Sequence, residues 1–181
     1  MCGILGIKSE KNQKYKNIFP DLKQKNQERG GIQTTMFNTP IGTFYHFRAP
    51  TSGANLHNLS EAYPLTYYGY GLIGNGVINH NYFQKIKDEN NTNDLYYLLK
   101  GISNYGITFL EQVQGCFALA IFIDNGSILL VSNTYPIYYT SDIFSSVEFQ
   151  GSFKLEHGTV YDWTNDKIIA QLNLTESPFL I

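Results

Sequence analysis

Cysteine is scarce in this chain, with only Cys2 and Cys116 among 181 residues. Two thiols cannot build the disulfide framework of a small secreted domain, and their separation carries no zinc-type spacing. Long apolar runs are missing as well. Nothing approaches the ~20 residues of a membrane-spanning helix, and the apolar stretch Ile4 to Ile7 is too short for the core of a signal peptide. A cytoplasmic protein with no membrane role is therefore expected. Neither sign of charge dominates, since 13 Lys and Arg stand against 15 Asp and Glu for a net −2, which gives no indication of nucleic-acid binding. His57, His80 and His157 lack ligand spacing, so neither a metal nor another cofactor is expected. Repeats, low-complexity tracts and interdomain linkers are absent, and the length suits one domain, 1–181, with a sizeable core.

What the chain does contain is aromatic and β-branched residues in short runs, with 14 Tyr and 12 Phe, a composition that leans towards β-structure. Ile4 to Ile7 reads as a buried strand. A short amphipathic helix, with Ile18 and Leu22 one turn apart, is expected within 9–28 and to break near Pro20. Ile32 to Phe37, the turn Asn38-Thr39-Pro40 and Ile41 to Phe47 form a hairpin pattern. Residues 48 to 66 read as loop, and Tyr67 to Ile73 as a strand followed by Gly74-Asn75-Gly76 and the apolar pair Val77-Ile78. A polar helix is expected from 81 to 87. A second helix starts near Asp94, capped by Asp94 or Asn93, with Leu95, Leu98, Leu99 and Ile102 at helical spacing. Cys116 to Ile123 is nearly all apolar, as in a strand buried on both faces. A hairpin turn at Asp124-Asn125-Gly126 leads into Ile128 to Val131. Further strands are expected at Ile137 to Thr140, Val147 to Phe149, Thr159 to Trp163 and Ile168 to Leu172. The pattern suggests stacked sheets flanked by helices.

One local charge bias stands out. Lys8, Lys11, Lys14, Lys16, Lys23, Lys25 and Arg29 face only Glu10, Asp21 and Glu28 within the first thirty residues. A solvated helix face accounts for it, and docking of an acidic partner is the alternative.

The first residues, Met1-Cys2-Gly3-Ile4, carry the chemistry. Removal of Met1, which a small second residue permits, would leave a thiol and a free α-amine on one residue. An α-amine titrates near 7.7–8.0, so a useful fraction is neutral at cellular pH and can take the proton of its own thiol. Nucleophile and general base are then one residue, as in N-terminal Thr enzymes. The competing reading makes Cys2 a small apolar residue at the start of a strand.

Further motifs follow in order: Arg29-Gly30, then His46-Phe47-Arg48-Ala49-Pro50-Thr51-Ser52-Gly53, then Gly74-Asn75-Gly76-Val77-Ile78-Asn79. Gly115-Cys116-Phe117-Ala118-Leu119-Ala120 and Pro136-Ile137-Tyr138-Tyr139 come later. With the N-terminal Cys, this succession resembles the glutaminase domain of class II glutamine amidotransferases, which are N-terminal-nucleophile hydrolases. The resemblance spans at least residues 1 to 140. It implies an α+β fold, a four-layer αββα sandwich of two antiparallel sheets.

It also implies an activity, hydrolysis of the side-chain amide of L-glutamine through a γ-glutamyl thioester on Cys2. Asn75 and the Gly76 amide correspond to the oxyanion hole of that family. Asn-Gly is at the same time the strongest short signal for a plain hairpin turn, so the two readings compete at this dipeptide. Arg48 matches the arginine that grips the substrate carboxylate, against the plain reading of a surface arginine at a strand end, and Thr51 matches a pocket threonine. Asp94 is the best match for the aspartate that binds the substrate ammonium, with Asn93 the alternative and helix capping the non-catalytic role. Arg29 and His46 are expected to support the site from behind, and Cys116 to belong to the core.

Departures from the family pattern include Ile32 where an acidic residue is common, Ala49 after Arg48, and Leu95-Tyr96 after Asp94. The glutamine pocket is less secure than the nucleophile on these grounds. The chain leaves no room for a synthase domain, so the ammonia acceptor is expected to be a separate synthase or amidotransferase subunit. Rival readings are hydrolysis of another γ-glutamyl or small acyl amide, a non-catalytic regulatory subunit that retains Met1, and redox chemistry at Cys2.

Overall fold

A computed structural model describes residues 2–8, 15, 17–30, 33–49, 64–79 and 93–175. Met1, Thr51, the helix expected over 81–87 and most of the lysine-rich stretch after Lys8 lie outside the described residues. The chain forms an α+β fold in which two six-stranded antiparallel sheets stack face to face.

The first sheet is centred on β1 (Gly3–Lys8), which pairs on one side with β3 (Gly42–Arg48) and on the other with β9 (Ile143–Ser145). Beyond β3 lies β2 (Gln33–Asn38), and beyond β9 lie β8 (Tyr138–Tyr139) and β10 (Phe153–Lys154). The expected turn after Phe37 closes β2 onto β3, with Thr39 and Gly42 exchanging backbone hydrogen bonds of 2.9 and 3.2 Å. The second sheet runs β12 (Lys167–Gln171), β11 (Thr159–Asp162), β7 (Ile128–Asn133), β6 (Gly115–Ile123), β5 (Tyr70–Ile78) and β4 (Leu65–Tyr67).

The helix α1 (Phe19–Gly30) does not break at Pro20. Pro20 occupies the first turn, where its missing N–H has no intrahelical partner to lose, so the ring starts the helix rather than ending it. Leu22 packs α1 onto Leu5, Ile7, Tyr45 and Phe47. These odd-numbered strand residues form the outer face of the first sheet, because strand side chains alternate between faces. On the exposed side of α1, Lys25 pairs with Asp21 at 2.8 Å. Lys8 differs from the other lysines of this region. Its ammonium binds the Trp163 carbonyl and lies 4.7 Å from the centre of the Trp163 ring.

The helix α2 (Asp94–Tyr105) packs against β5 and buries Leu95, Leu98, Leu99 and Ile102, the spacing expected of it. Asn93 is the cap, its side-chain oxygen accepting from the Leu95 amide at 3.0 Å. A 3-10 helix (Ile107–Gln112) follows. No helix among the described residues is long and apolar enough to cross a membrane.

Two strand expectations require correction. Val147 to Phe149 is not a strand; the pairing segment is Ile143–Ser145, and Phe149 instead opens a turn closed by Ser152. Tyr67 to Ile73 is not one strand either. Tyr68 and Gly69, with φ of 38° and 79°, make a two-residue hairpin loop between paired Tyr67 and Tyr70. Such loops need positive φ at both positions to match the strand twist. The following strand β5 then runs straight through Gly74-Asn75-Gly76, pairing with β6 in unbroken register from Tyr70↔Ile123 to Ile78↔Gly115. The hairpin reading of Asn75-Gly76 is thereby excluded.

The space between the sheets is filled by even-numbered residues of β1, β3 and β6 and odd-numbered residues of β5. Phe44 meets Phe122 at 4.9 Å and Trp163 at 6.1 Å between ring centres, and Phe144 meets Trp163 at 5.0 Å. Gly6 admits this layer, since a β-carbon there would come within 2.2 Å of the Phe144 ring. The aromatic packing occupies the half of the sandwich nearer the C-terminal end of β1. Polar residues gather at the other end.

Candidate active site

Cys2 is half-buried and immediately precedes β1. The strand behind it is held at both edges. On one side Gly3 pairs with Phe47 and Ile4 with His46. On the other, the Ile4 amide donates to Ser146 Oγ at 3.0 Å, and the Ser146 amide donates to the Ile4 carbonyl at 3.0 Å. Arg29, in the last turn of α1, donates through Nη1 to the Ser146 carbonyl at 3.2 Å. Arg29 thereby ties the end of α1 to the residue that brackets Ile4.

Cys2 precedes the last pair of this ladder, Gly3↔Phe47, and Arg48 ends β3 just beyond it, so both lie next to the same end of the β1–β3 pairing. Opposed residues of an antiparallel pair share a face. Ile4 and His46 therefore share a face with Phe44, and that face is turned towards the second sheet. His46 spans the gap, its Nε2 lying 2.9 Å from the Gly74 carbonyl. That contact joins the sheet that begins after Cys2 to the residue just before Asn75.

Burial lowers the pKa of His46 to about 4, opposed by the Gly74 hydrogen bond and assisted by the Arg48 charge. The imidazole is neutral at physiological pH, so its Nε2 donates to the Gly74 carbonyl. The hydrogen bond ties one sheet to the other.

Asn75 is buried in the middle of β5, opposite Ala118 of β6. Its side chain is on the face carrying Ile73 and Val77, towards the first sheet. Gly76 turns the other way, and a β-carbon there would come within 3.1 Å of Leu95 Cδ2 at the start of α2. Asp94 meets the end of the same strand: its Oδ2 accepts the Ile78 amide at 3.0 Å. Asp94 thus ties α2 to the strand that carries Asn75 and Gly76, while Asn93 takes the capping role. Val77, two residues from Asn75 on the same face, is 53% exposed. The gap between the sheets is open to solvent at this end.

Cys116 was expected in the core, and it is buried. Its register partner is Val77, so it belongs to the inter-sheet face and not to the packing against α2. Tyr135 lies by both thiols. Burial raises the pKa of its phenol, and the neighbouring Cys116 and Cys2 raise it further. A phenol kept protonated in this way can donate a hydrogen bond to a thiolate or to a developing anion.

The sequence reading missed Tyr135, which no motif marks, and only the folded backbone beside it stands out. Thr134 has φ of 69°, a costly conformation for a β-branched residue. The turn is held by the Tyr135 amide on the Asn133 carbonyl at 2.8 Å and by Ser132 Oγ on the Tyr135 carbonyl at 3.0 Å. Asn133 is fully buried and donates to the Gly115 carbonyl at 2.9 Å, just before Cys116.

The structure thus sets Cys2 and Arg48 at one end of the β1–β3 pairing, joins that sheet through His46 to the strand that carries Asn75 and Gly76, and has Asp94 meet the end of that strand from the α2 side. Thr51 lies outside the described residues. Among the described residues no three His, Cys, Asp or Glu side chains converge as a metal site would require. No family model matches this chain, and a search of curated proteins likewise finds no match.

Proposed function

We propose that this chain is a glutamine amidohydrolase of the class II amidotransferase type, with Cys2 as its N-terminal nucleophile. The observation that carries the reading is the His46–Gly74 bridge, which joins the sheet bordered by Cys2 and Arg48 to the strand that carries Asn75 and Gly76. Helix α1 on the outer face of one sheet and α2 against the other agree with an αββα sandwich of the N-terminal-nucleophile type.

In this mechanism the neutral α-amine of processed Cys2 takes the thiol proton, and the sulfur attacks the carboxamide carbon of glutamine. The tetrahedral oxyanion accepts hydrogen bonds from the Asn75 side-chain amide and the Gly76 N–H, each donor worth about 3–4 kcal/mol. The α-ammonium returns its proton to the leaving nitrogen, ammonia departs, and water hydrolyses the thioester to glutamate. Arg48 grips the α-carboxylate with its planar fork. Asp94 attracts the α-ammonium. A carboxylate has about four acceptor positions, so the bond from the Ile78 amide leaves capacity for that second role. The ammonia passes to a separate acceptor enzyme.

A second reading is favoured by that same Asp94 bond. A carboxylate committed to the backbone selects weakly for an amino acid, and the substrate is then another γ-glutamyl or small acyl amide.

The test is incubation of the processed protein with a glutamine-analogue diazo-ketone, followed by mass mapping of the adduct. Labelling at Cys2, lost in Cys2→Ala and blocked by glutamine, is the expected result. Labelling confined to Cys116, or retention of Met1 in the active protein, would overturn the proposal. Ammonia release compared across glutamine and other amides separates the two readings.

A further inference from the structure

The sequence contains two Asn-Gly dipeptides, Asn75-Gly76 and Asn125-Gly126. The first lies inside β5, where Asn75 is 7% exposed and every residue from Tyr70 to Ile78 has a partner on β6. The second forms the exposed turn between β6 and β7. One molecule thus holds the same pair of residues in two opposite settings.

Asn-Gly is the dipeptide most prone to spontaneous loss of its side-chain amide, because glycine has no β-carbon to hinder approach to the nitrogen that follows the asparagine. Three features of the turn favour that chemistry at Asn125. First, Gly126 has φ of 88°, and a β-carbon there would meet nothing within 4 Å, so no neighbour crowds it. Second, Asn125 Oδ1 accepts the Ser127 amide at 2.9 Å. This bond folds the carboxamide back over the following peptide, beside the Gly126 nitrogen. It also supplies a donor for the negative charge that grows on Oδ1 when the carboxamide carbon is attacked. Third, little holds the turn closed. The Gly126 amide donates to the Ile123 carbonyl at 2.8 Å, and attack by that nitrogen needs this bond to open at the protein surface. Attack at Asn75 needs β5 to leave its ladder, a far costlier opening.

We propose that Asn125 is a site of spontaneous deamidation through a succinimide, and that its strand shields Asn75 from the same reaction. The Gly126 nitrogen gives its proton to solvent and bonds to Asn125 Cγ. The Cγ–Nδ2 bond breaks, and Nδ2 takes a proton from water and leaves as ammonia. Water then opens the succinimide at either carbonyl, which leaves an aspartyl or an isoaspartyl residue at position 125. Both products add a negative charge next to Asp124, and the isoaspartyl form also adds a carbon to the backbone of the turn. The reaction is independent of the hydrolase reading, since it occurs once per chain and does not turn over.

The test is to age the full chain at neutral pH and body temperature and to map its peptides by mass. Digestion in heavy-oxygen water marks any conversion that occurs during digestion. Positions 75 and 125 are followed in the same sample, so each serves as the other's control. Conversion at Asn125 should exceed that at Asn75 by more than about tenfold. In concentrated urea, where neither setting survives, the two rates should converge. Asn125→Gln, which can cyclise only through a larger and slower-forming ring, should remove the conversion at that position. Equal conversion of the two sites in the folded chain, no conversion at Asn125, or an excess at Asn125 that persists in urea would overturn the proposal.

Discussion

The strand β5 carries an Xaa-Gly pair near each end, and the two behave in opposite ways. Asn75-Gly76 has the composition of a hairpin turn and is straight strand, laddered to Ala118 and Phe117. Tyr68-Gly69 has a poor turn composition and is the hairpin turn, with both residues at positive φ. Local preference at Asn-Gly is worth a fraction of the nine-residue pairing with β6, so the ladder wins there. At Tyr68-Gly69 the chain must reverse because β4 pairs with β5, and the backbone accepts an unfavourable residue to do so. Both departures from local preference fall beside an opening between the sheets. Natural chains retain such local conflicts where another requirement overrides them.

The comparison can be broken or sharpened by substitution. The largest effect belongs to the nucleophile: Cys2→Ala should abolish glutamine hydrolysis while leaving circular dichroism unchanged. Asn75→Ala should lower kcat by about 10²–10³ with little change in KM, the signature of a donor used only in the transition state. A loss confined to KM would show that Asn75 binds substrate without stabilising an oxyanion.

His46 links the two sheets at the end near Cys2 and should make the fold acid-sensitive. Its pKa is about 4 in the folded chain and about 6.5 unfolded. Between these values the unfolded state binds the extra proton, so this contribution is complete above about 6.5 and is lost as pH falls towards 4. The loss amounts to roughly 3 kcal/mol. Denaturant titrations at pH 7 and pH 4 should show a smaller difference for His46→Gln, which retains a donor for the Gly74 carbonyl.

Glycines along β5 provide the next contrast. A β-carbon on Gly74 would come 2.7 Å from the Ala118 carbonyl oxygen, whereas one on Gly71 would find its nearest neighbour at 3.4 Å. Gly74→Ala should therefore cost about 2 kcal/mol from overpacking against backbone. Gly71→Ala should change stability by less than about 0.5 kcal/mol. Equal costs would show that the two ends of the strand yield alike. The smallest effect is a gain, since Tyr68→Asn should stabilise the fold by about 1 kcal/mol in thermal unfolding.

Much of the framework was legible from the residues. The spacing of Leu95, Leu98, Leu99 and Ile102 announced α2, and the apolar run from Cys116 announced β6, because burial of one stripe or two faces is written in periodicity. Pro20 misled because its effect depends on position within a helix, which depends in turn on where Leu22 packs. Val147 to Phe149 had strand composition without a partner to pair with, whereas Ile143–Ser145 found the edge of β1. Tyr135 was invisible because its meaning comes from Cys2 and Cys116, which are remote from it along the chain.

By itself, then, the sequence determined the element types, the candidate nucleophile and the residues able to serve it, since propensity, periodicity and side-chain chemistry are local properties. Only the tertiary structure decided that Asn75-Gly76 is strand, that His46 reaches across to Gly74, and that Asp94 binds the end of β5. Register and sheet stacking are collective. Each is set by the sum of many pairings and by burial across the gap between sheets, which no short stretch of residues can express.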